Sequence, residues 1–444
     1  MLSVVKYLPG LMRSMTASPE QVQKTQIKRL QAIIAHAYLT TPFYHEIMDQ
    51  LGIKPQDIRS TEDIRLFPVI NRAEVKEHFA QMLARGVALN TCNVTHSSGT
   101  TGEPVEYAYD QNALSFARAL KVREKLWCGV RPGDRWVNIA MTRKRGGHQI
   151  TGGKWRTFLK TYAARGLDVD VIEDLDQQID KILKFAPGVL QAYPSSLHAV
   201  ALELRRRGIS AWKPRLLFTV AELLGEETRL LVREVFGMEI MDIYGLIEVG
   251  DVSWQCRRAS EYHINADAIL VEFLNEGKPV PAGEVGEIVV TSLYNKAMPL
   301  IRYRSSDAGR PSDGHCTCGC NLPMMQVVDG KMLDFLVLHD GKLVSPHVPK
   351  KALLFVPGIL RFQIVQLTVN ELDVLCEAAP DWNEDTPMQI EQALRPVVGS
   401  GVQIHARRVE RIERGKSGKI KVIVSHVSKD LLPAGPKGVK EIVK

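Results

Sequence analysis

No run of about 18 apolar residues, the length a helix needs to cross a bilayer, occurs anywhere in this chain, so a membrane span is not expected. The opening stretch "MLSVVKYLPGLMRSM" lacks the long apolar centre and small-residue cleavage site of a secretory signal. It reads instead as a weakly amphipathic helix, and the cytoplasm is the expected compartment. Basic residues are scattered rather than gathered into a patch with stacking aromatics, which argues against a nucleic-acid partner. The formal charge of +7 still suits small anions such as nucleotides. Internal repeats and low-complexity segments are absent. Cysteine is sparse and odd in number, seven in all, which is no basis for a disulfide framework.

What is present describes a globular protein, with 45% apolar and 24% charged residues. At 444 residues the chain is too long for one ordinary core, and two or three domains are expected. Residues 19–50 read as helix interrupted at Pro42, and a helix is expected to follow Asn71, a cap in "INRAEVKEHFAQMLARG". From "ALSFARALKVREKLW" onward, short β-branched runs ("RWVNIAM", "DVDVI", "GVLQAY", "RLLFTV", "EIMDIYG") alternate with amphipathic helices. That alternation indicates a largely parallel sheet with crossover helices. After residue 260, "AILVEFL", "GEIVVTSL" and "PLIRYRS" are separated by turn residues and read as antiparallel strands. The last hundred or so residues read as a compact α+β unit, opening on a hairpin in "KMLDFLVLHDGKLVSP". The expected fold class is α/β. A large N-terminal domain (1–332) has mostly parallel sheets flanked by helices plus a β-rich subdomain, and a small α+β C-terminal domain (333–444) follows a boundary near Gly330.

The densest cluster of small donors and flexible backbone is "THSSGTTGEPVEY", residues 95–107. Such a loop after a strand can turn several N–H groups toward one anion, with Gly99 and Gly102 allowing close approach. The same composition also makes a plain turn. It is not the common phosphate loop, because the Gly-Lys-Ser/Thr ending is missing.

The string "SSGTTGEPV" resembles the phosphate-binding loop of adenylate-forming enzymes, the superfamily of acyl-CoA ligases, luciferases and nonribosomal adenylation domains. Within it the chain looks most like the phenylacetate–CoA ligase branch. The supporting segments run in order: "IIAHAYLTTPFYHEIM", "AYPSSLHAVALELRRRGI", "FTVAELLGEETRLLVREVFG", "MDIYGLIEVG", "GEVGEIVVTSLYNKAMPLIRYRSSD" and "GKSGKIKVIV". The resemblance implies that ATP activates a carboxylic acid, an aromatic one being the family-based expectation, as an acyl-adenylate with release of pyrophosphate. The acyl group then passes to CoA. It implies that Ser97, Ser98, Gly99, Thr100, Thr101 and Gly102 hold the β- and γ-phosphates. Tyr244 would face adenine, with Asp242 accepting from its exocyclic amine and Gly245 on the same platform. Ala221 and Glu222 would wall the adenine side, Glu248 would bind Mg2+, Asp307 would take the ribose hydroxyls, and Lys331 occupies the hinge position on the ribose. Lys419 would reach in from the mobile small domain to complete adenylation. The acid pocket is expected between the adenine platform and residues 143–155.

Four positions depart from the family pattern. Glu103 stands where a lysine is common, and Ile247 where a hydroxyl is usual. Lys331 and Leu333 stand where the hinge carries arginine and an acidic or lysine pivot. Lysine offers no planar fork to a ribose. Two alternatives therefore accompany the CoA ligase reading: transfer of the adenylate's acyl group to an amine or a carrier-protein thiol, and nucleotide binding without turnover. A homodimer is among the assemblies the resemblance allows.

Cys256 and His263, with Cys316 and Cys318 of "HCTCGC", offer the thiolate and imidazole donors that suit a closed Zn2+ site. Branch members with such a set imply the same grouping here. Cys320 and His315 are substitute ligands, and a loop of free reduced thiols remains open.

Overall fold

The computed structural model describes residues 2–97, 105–140, 165–170, 173, 175–210, 212–258, 260–331, 336–338, 343–344, 349, 352–353, 356–413 and 421–427. Its N-terminal part is helical, with helices Leu2–Ser14, Pro19–Thr40 and Pro42–Leu51. Ser18 and Gln21 cap the second helix reciprocally, and Pro42, which has no N–H to give, ends it and starts the third. Asn71 is the cap expected of it, accepting from Ala73 N at 2.8 Å and Glu74 N at 3.3 Å. The helix it starts is short, however: Arg72–Glu77 stops at His78, and the chain resumes as Phe79–Met82. No described helix is long and apolar enough to cross a membrane.

Two strands, β1 (Asn93–Ser97) and β2 (Val105–Tyr109), pair antiparallel as a sheet of their own. The helix Gln111–Trp127 follows, and then the parallel strands β3 (Arg135–Ala140), β4 (Arg165–Asp170), β5 (Val189–Ala192), β6 (Leu216–Val220) and β7 (Met241–Leu246). Helices Leu175–Phe185, Pro194–Arg206 and Glu226–Phe236 pack on one face of these strands through Ile179, Leu197, Val200 and Val232. On the other face Trp136 and Phe218 stack at 5.9 Å in the cluster that also holds the Gln111–Trp127 helix. Burying side chains of this size stabilises by about 1.5–3 kcal/mol each.

The sheet does not stop where the parallel strands do. It continues antiparallel from β7 into β8 (Gly250–Trp254) and β9 (Tyr262–Ile264), then β14 (Met324–Lys331), β13 (Tyr303–Ser312), β12 (Gly286–Ser292), β10 (Ile269–Asn275) and β11 (Lys278–Pro279). The expected parallel and β-rich regions are thus halves of one twelve-stranded sheet. A hairpin of β15 (Leu336–Val337) and β16 (Leu343–Val344) matches the expected one. Beyond it lies a separate four-stranded sheet in the order β19 (Gln403–Val409), β18 (Glu371–Ala378), β17 (Ile359–Thr368), β20 (Ile423–Ser425). The helix Thr386–Val398 supplies Ile390 and Leu394 to its own apolar cluster, with Leu336, Ile364 and Val374.

Candidate active site

Open α/β sheets bind ligands beyond the carboxyl ends of their strands, where the topology switches. Here the switch falls at β7, the last parallel strand. Tyr244, near the end of β7, donates from its hydroxyl to Asp307 Oδ2 at 2.9 Å. The two residues stand on strands four positions apart in the sheet, about 19 Å if it were flat. The contact therefore requires the antiparallel half to curl back over the end of β7. Across the β13–β14 ladder Asp307 is paired with Lys331, which places a third expected nucleotide residue beside the first two. Burial, reinforced by the Asp307 charge, holds the Tyr244 phenol well above its usual pKa, so it is a donor at neutral pH.

Three non-glycine residues near this site have left-handed backbone: Ala221 (φ 68°), directly after β6, Arg302 (φ 51°), directly before β13, and Ser306 (φ 61°), directly before Asp307. Such conformations cost about 1–3 kcal/mol and gather at functional sites. Glu222 follows Ala221 and is half-buried.

Glu248 sits in the tight turn between β7 and β8. Tyr303 donates to its Oε1 at 3.1 Å, and the Tyr303 hydroxyl in turn meets the Tyr107 hydroxyl at 3.1 Å. On either side of Glu248 the backbone is pinned as well. Tyr109 donates to Ile247 O at 2.8 Å and Tyr294 to Val249 O at 2.7 Å. Ile247 is about half exposed, so the residue that replaces a hydroxyl presents an apolar side chain to the surface beside Glu248. Two glycines make this turn fit. A side chain on Gly245 would stand 3.1 Å from the Asp251 carboxylate and from Gly250 O, and Gly250 has φ 85° with the Tyr294 hydroxyl 2.8 Å from where a Cβ would be.

Asp242 is placed differently from its expected partners. Only 4% exposed, it accepts from Thr219 Oγ1 at 2.5 Å and from the Tyr262 hydroxyl at 2.7 Å. Burial raises its pKa while these two donors oppose the rise. Its oxygens tie β6, β7 and β9 together within the protein.

Ser97 is the last residue of β1 and pairs with Val105, so residues 98–104 join the paired ends of the hairpin. Ser98, Gly99, Thr100, Thr101, Gly102 and Glu103 themselves lie outside the described residues. So do residues 143–155, Leu333 and Lys419.

The cysteine cluster assembles as expected. Ligand atoms of Cys256, His263, Cys316 and Cys318 all lie within 4.8 Å of one another, and this is the metal-competent group found among the described residues. Cys256 Sγ is 3.5 Å from Cys316 Sγ, and Cys318 Sγ is 3.5 Å from His263 Nε2. Zn–S bonds of about 2.3 Å in a tetrahedron put sulfur atoms about 3.8 Å apart, close to this spacing. Each sulfur also receives N–H donors: Arg258 N to Cys256, Cys318 N to Cys316, and both Cys320 N and the Trp127 indole to Cys318, all at 3.4 Å. Such donors stabilise thiolates and orient metal ligands. Burial lowers the His263 pKa to about 4, so the imidazole is uncharged at neutral pH, the form that ligates metal. His315 is exposed, and neither it nor the buried Cys320 belongs to the group.

Reading the sequence alone misses the tyrosines that hold the Glu248 turn. Tyr107 and Tyr109 are two apart directly after the loop, the spacing that puts both on one strand face, and that signal was available. Tyr303 and Tyr294 gave none, since only the curl of the sheet brings them in. Also missed are two ion pairs in the core, Arg123–Asp267 at 2.7 Å and Arg302–Glu272 at 2.9 Å.

Comparison with known proteins supplies the family and the fold. The CapK C-terminal domain family matches residues 336–426. The phenylacetate–coenzyme A ligase of Thermus thermophilus is 31% identical over 437 residues, covering 95% of this chain and 94% of the relative. That of Escherichia coli is 28% identical over 77% of this chain and 78% of its own. Among solved structures, 2-hydroxyisobutyryl-CoA ligase in the postadenylation state, bound to an acyl-AMP, superposes with a TM-score of 0.78 at 18% identity, covering 93% of this chain and 91% of the other, which establishes the fold. A chain that aligns nearly end to end with a relative at this identity belongs to the phenylacetate–CoA ligase family of adenylate-forming enzymes.

Proposed function

We propose that this protein is an AMP-forming acid–thiol ligase. A carboxylate oxygen of the acid attacks the α-phosphorus of ATP, the bond to the bridging oxygen breaks, and pyrophosphate leaves. The CoA thiolate then attacks the acyl carbonyl and AMP departs. The observation that carries the reading is the Tyr244–Asp307 hydrogen bond with Lys331 opposite, a constellation drawn from three distant segments onto the switch point of the sheet. In this reading Tyr244 and Gly245 form the adenine platform, Ala221 and Glu222 its other wall, and Asp307 the ribose acceptor. Asp242 is assigned to positioning β7 rather than to adenine. Ser97, Ser98, Gly99, Thr100, Thr101 and Gly102 take the phosphates. Glu248, one carboxylate oxygen held by Tyr303, would hold Mg2+, a hard cation suited to oxygen ligands.

A carboxylate and a triphosphate repel each other, so the site has to supply opposing charge and alignment. Lys419 fills that need in the proposal, carried by residues 333–444 as a small domain that moves against residues 1–332. Cys256, His263, Cys316 and Cys318 would hold one Zn2+, which would tie the loop between β13 and β14 to the β8–β9 region and take no part in the reaction. The acid is proposed as aromatic and the compartment as the cytoplasm.

ATP–pyrophosphate exchange across a panel of aromatic and aliphatic acids tests the first half-reaction, and exchange with none of them, despite ATP binding, would leave only nucleotide binding. Product analysis with CoA tests the second. One observation favours testing a different acceptor: Lys331 stands where the resemblance expects arginine at the hinge. Amines and carrier-protein thiols therefore belong in the same product assay.

A further inference from the structure

Glu248 and the strand that follows the 98–104 segment are joined by a short chain of phenols. Tyr303 on β13 is 3% exposed and Tyr107 on β2 is 1% exposed. Their rings meet edge to face, with centroids 6.2 Å apart. Tyr303 donates to Glu248 Oε1, so its oxygen is left to accept, and the Tyr107 hydroxyl 3.1 Å away is placed to donate to it. The result is a directed chain, Tyr107 to Tyr303 to carboxylate, whose links polarise one another in a buried setting. Tyr107 lies two residues beyond Val105, the residue paired with Ser97 at the head of the hairpin. A neighbouring bond, Tyr109 to Ile247 O, runs from the same strand to the same turn.

We propose that Tyr303 and Tyr107 are positioning residues that orient Glu248 for a divalent cation and tie that carboxylate to the strand leaving the phosphate-holding segment. The inference rests on the reading of Glu248 given above. With one oxygen engaged by Tyr303, the carboxylate's rotation is restrained and its second oxygen is left for a divalent cation, which would meet a ligand already partly oriented. The other phenols at this turn hold backbone oxygens and fix the turn rather than the carboxylate.

The test is the Mg2+ dependence of pyrophosphate exchange at saturating ATP in the full-length chain. Tyr303→Phe keeps the ring and removes the donor. The Mg2+ concentration for half-maximal rate is expected to rise roughly tenfold, in line with loss of a hydrogen bond to a charged group, while the thermal unfolding midpoint moves little. A purely structural tyrosine gives the opposite pattern, a lower midpoint with unchanged Mg2+ dependence, and that result overturns the inference. Glu248→Gln separates the two levels of the argument. If it leaves the Mg2+ requirement unchanged, the reading of Glu248 fails and this inference falls with it. If Glu248→Gln shifts the requirement and Tyr303→Phe does not, only the positioning role fails. In the double variant the Tyr303→Phe effect is expected to vanish, and independent additive effects count against the inference. Should Tyr303→Phe fold poorly, Tyr107→Phe carries the test: a smaller rise in the Mg2+ requirement supports the chain of phenols, and no rise refutes it.

Discussion

For single residues, the Tyr244–Asp307 bond makes the plainest claim. Tyr244→Phe keeps an aromatic face and deletes a hydrogen bond to a carboxylate that contributes about 1.5–3 kcal/mol. KM for ATP is expected to rise roughly tenfold or more, with kcat changing less, and an unaltered KM in steady-state exchange would remove Asp307's orienting role. Lys419→Ala is expected to abolish exchange while calorimetry still detects ATP binding; retained exchange would strike Lys419 from the mechanism. A third claim concerns stability alone. Lys125 is 3% exposed, its Nζ lies 3.6 Å from the centre of the Phe218 ring, and it has no hydrogen-bond acceptor among the described residues. Burial lowers its pKa from 10.5 to about 8. Between those two values the unfolded chain binds more protons than the folded one, so this residue makes stability rise with pH from about 8 to 10.5. Below about pH 8 its cost is present in full. Lys125→Met is expected to stabilise the protein at pH 7 and to flatten that rise, as read from urea midpoints across the range.

The β7–β8 turn is the element on which most of the proposed site depends. Gly250→Ala forces a side chain onto φ 85° and into the Tyr294 hydroxyl, which holds Val249 O. The strain of about 1–3 kcal/mol is expected to lower the melting temperature by several degrees, and adenylation is expected to fall by a larger factor because Glu248 moves with the turn. Equal losses of stability and rate would show that the turn is only scaffold. Elements of this kind were largely legible from the chain. Short β-branched runs between amphipathic helices gave β3 to β7 in order, and the Asn71 cap was readable from one residue. The continuous helix expected after Asn71 was not found, because the chain breaks at His78, whose ring lies 5.2 Å from Phe43. That contact is tertiary and leaves no local trace.

Over the whole molecule, the strongest departure from what the sequence suggests is the continuity of the sheet. Its two textures are visible in the strings themselves, parallel before residue 260 and antiparallel after it, but not their union into twelve strands or the curl that brings β13 over β7. Strand pairing between β9 and β14 joins residues some sixty positions apart, and no periodicity records that. The candidate site was legible through motif order, since Tyr244, Glu248 and Asp307 each fall in a quoted string. The supporting roles of Tyr303 and Tyr294 were not, because these two arrive through the curl. The cysteine cluster lies where β8, β9 and the β13–β14 loop meet, so a zinc ion held there would staple the curled half. Purified protein is expected to hold about one zinc per chain, measured by metal analysis. Chelation is expected to lower the melting temperature while leaving the KM for ATP of the still-folded protein unchanged. Absence of stoichiometric metal would return the four residues to being free thiols and a buried imidazole.

A two-stranded hairpin is marginal by itself in water, and β1–β2 is such a sheet. Its order is borrowed through Tyr107, through Tyr109, and through Asn295, which donates to Ala108 O at 2.9 Å. All three anchor points lie on β2, so the hairpin is expected to open from β1, the ladder amides of both strands exchanging by local opening well below the global unfolding energy. If residues 97–102 hold the phosphates as proposed, nucleotide at saturation should slow that opening, making solvent exchange in this hairpin a gauge of how firmly the triphosphate is gripped.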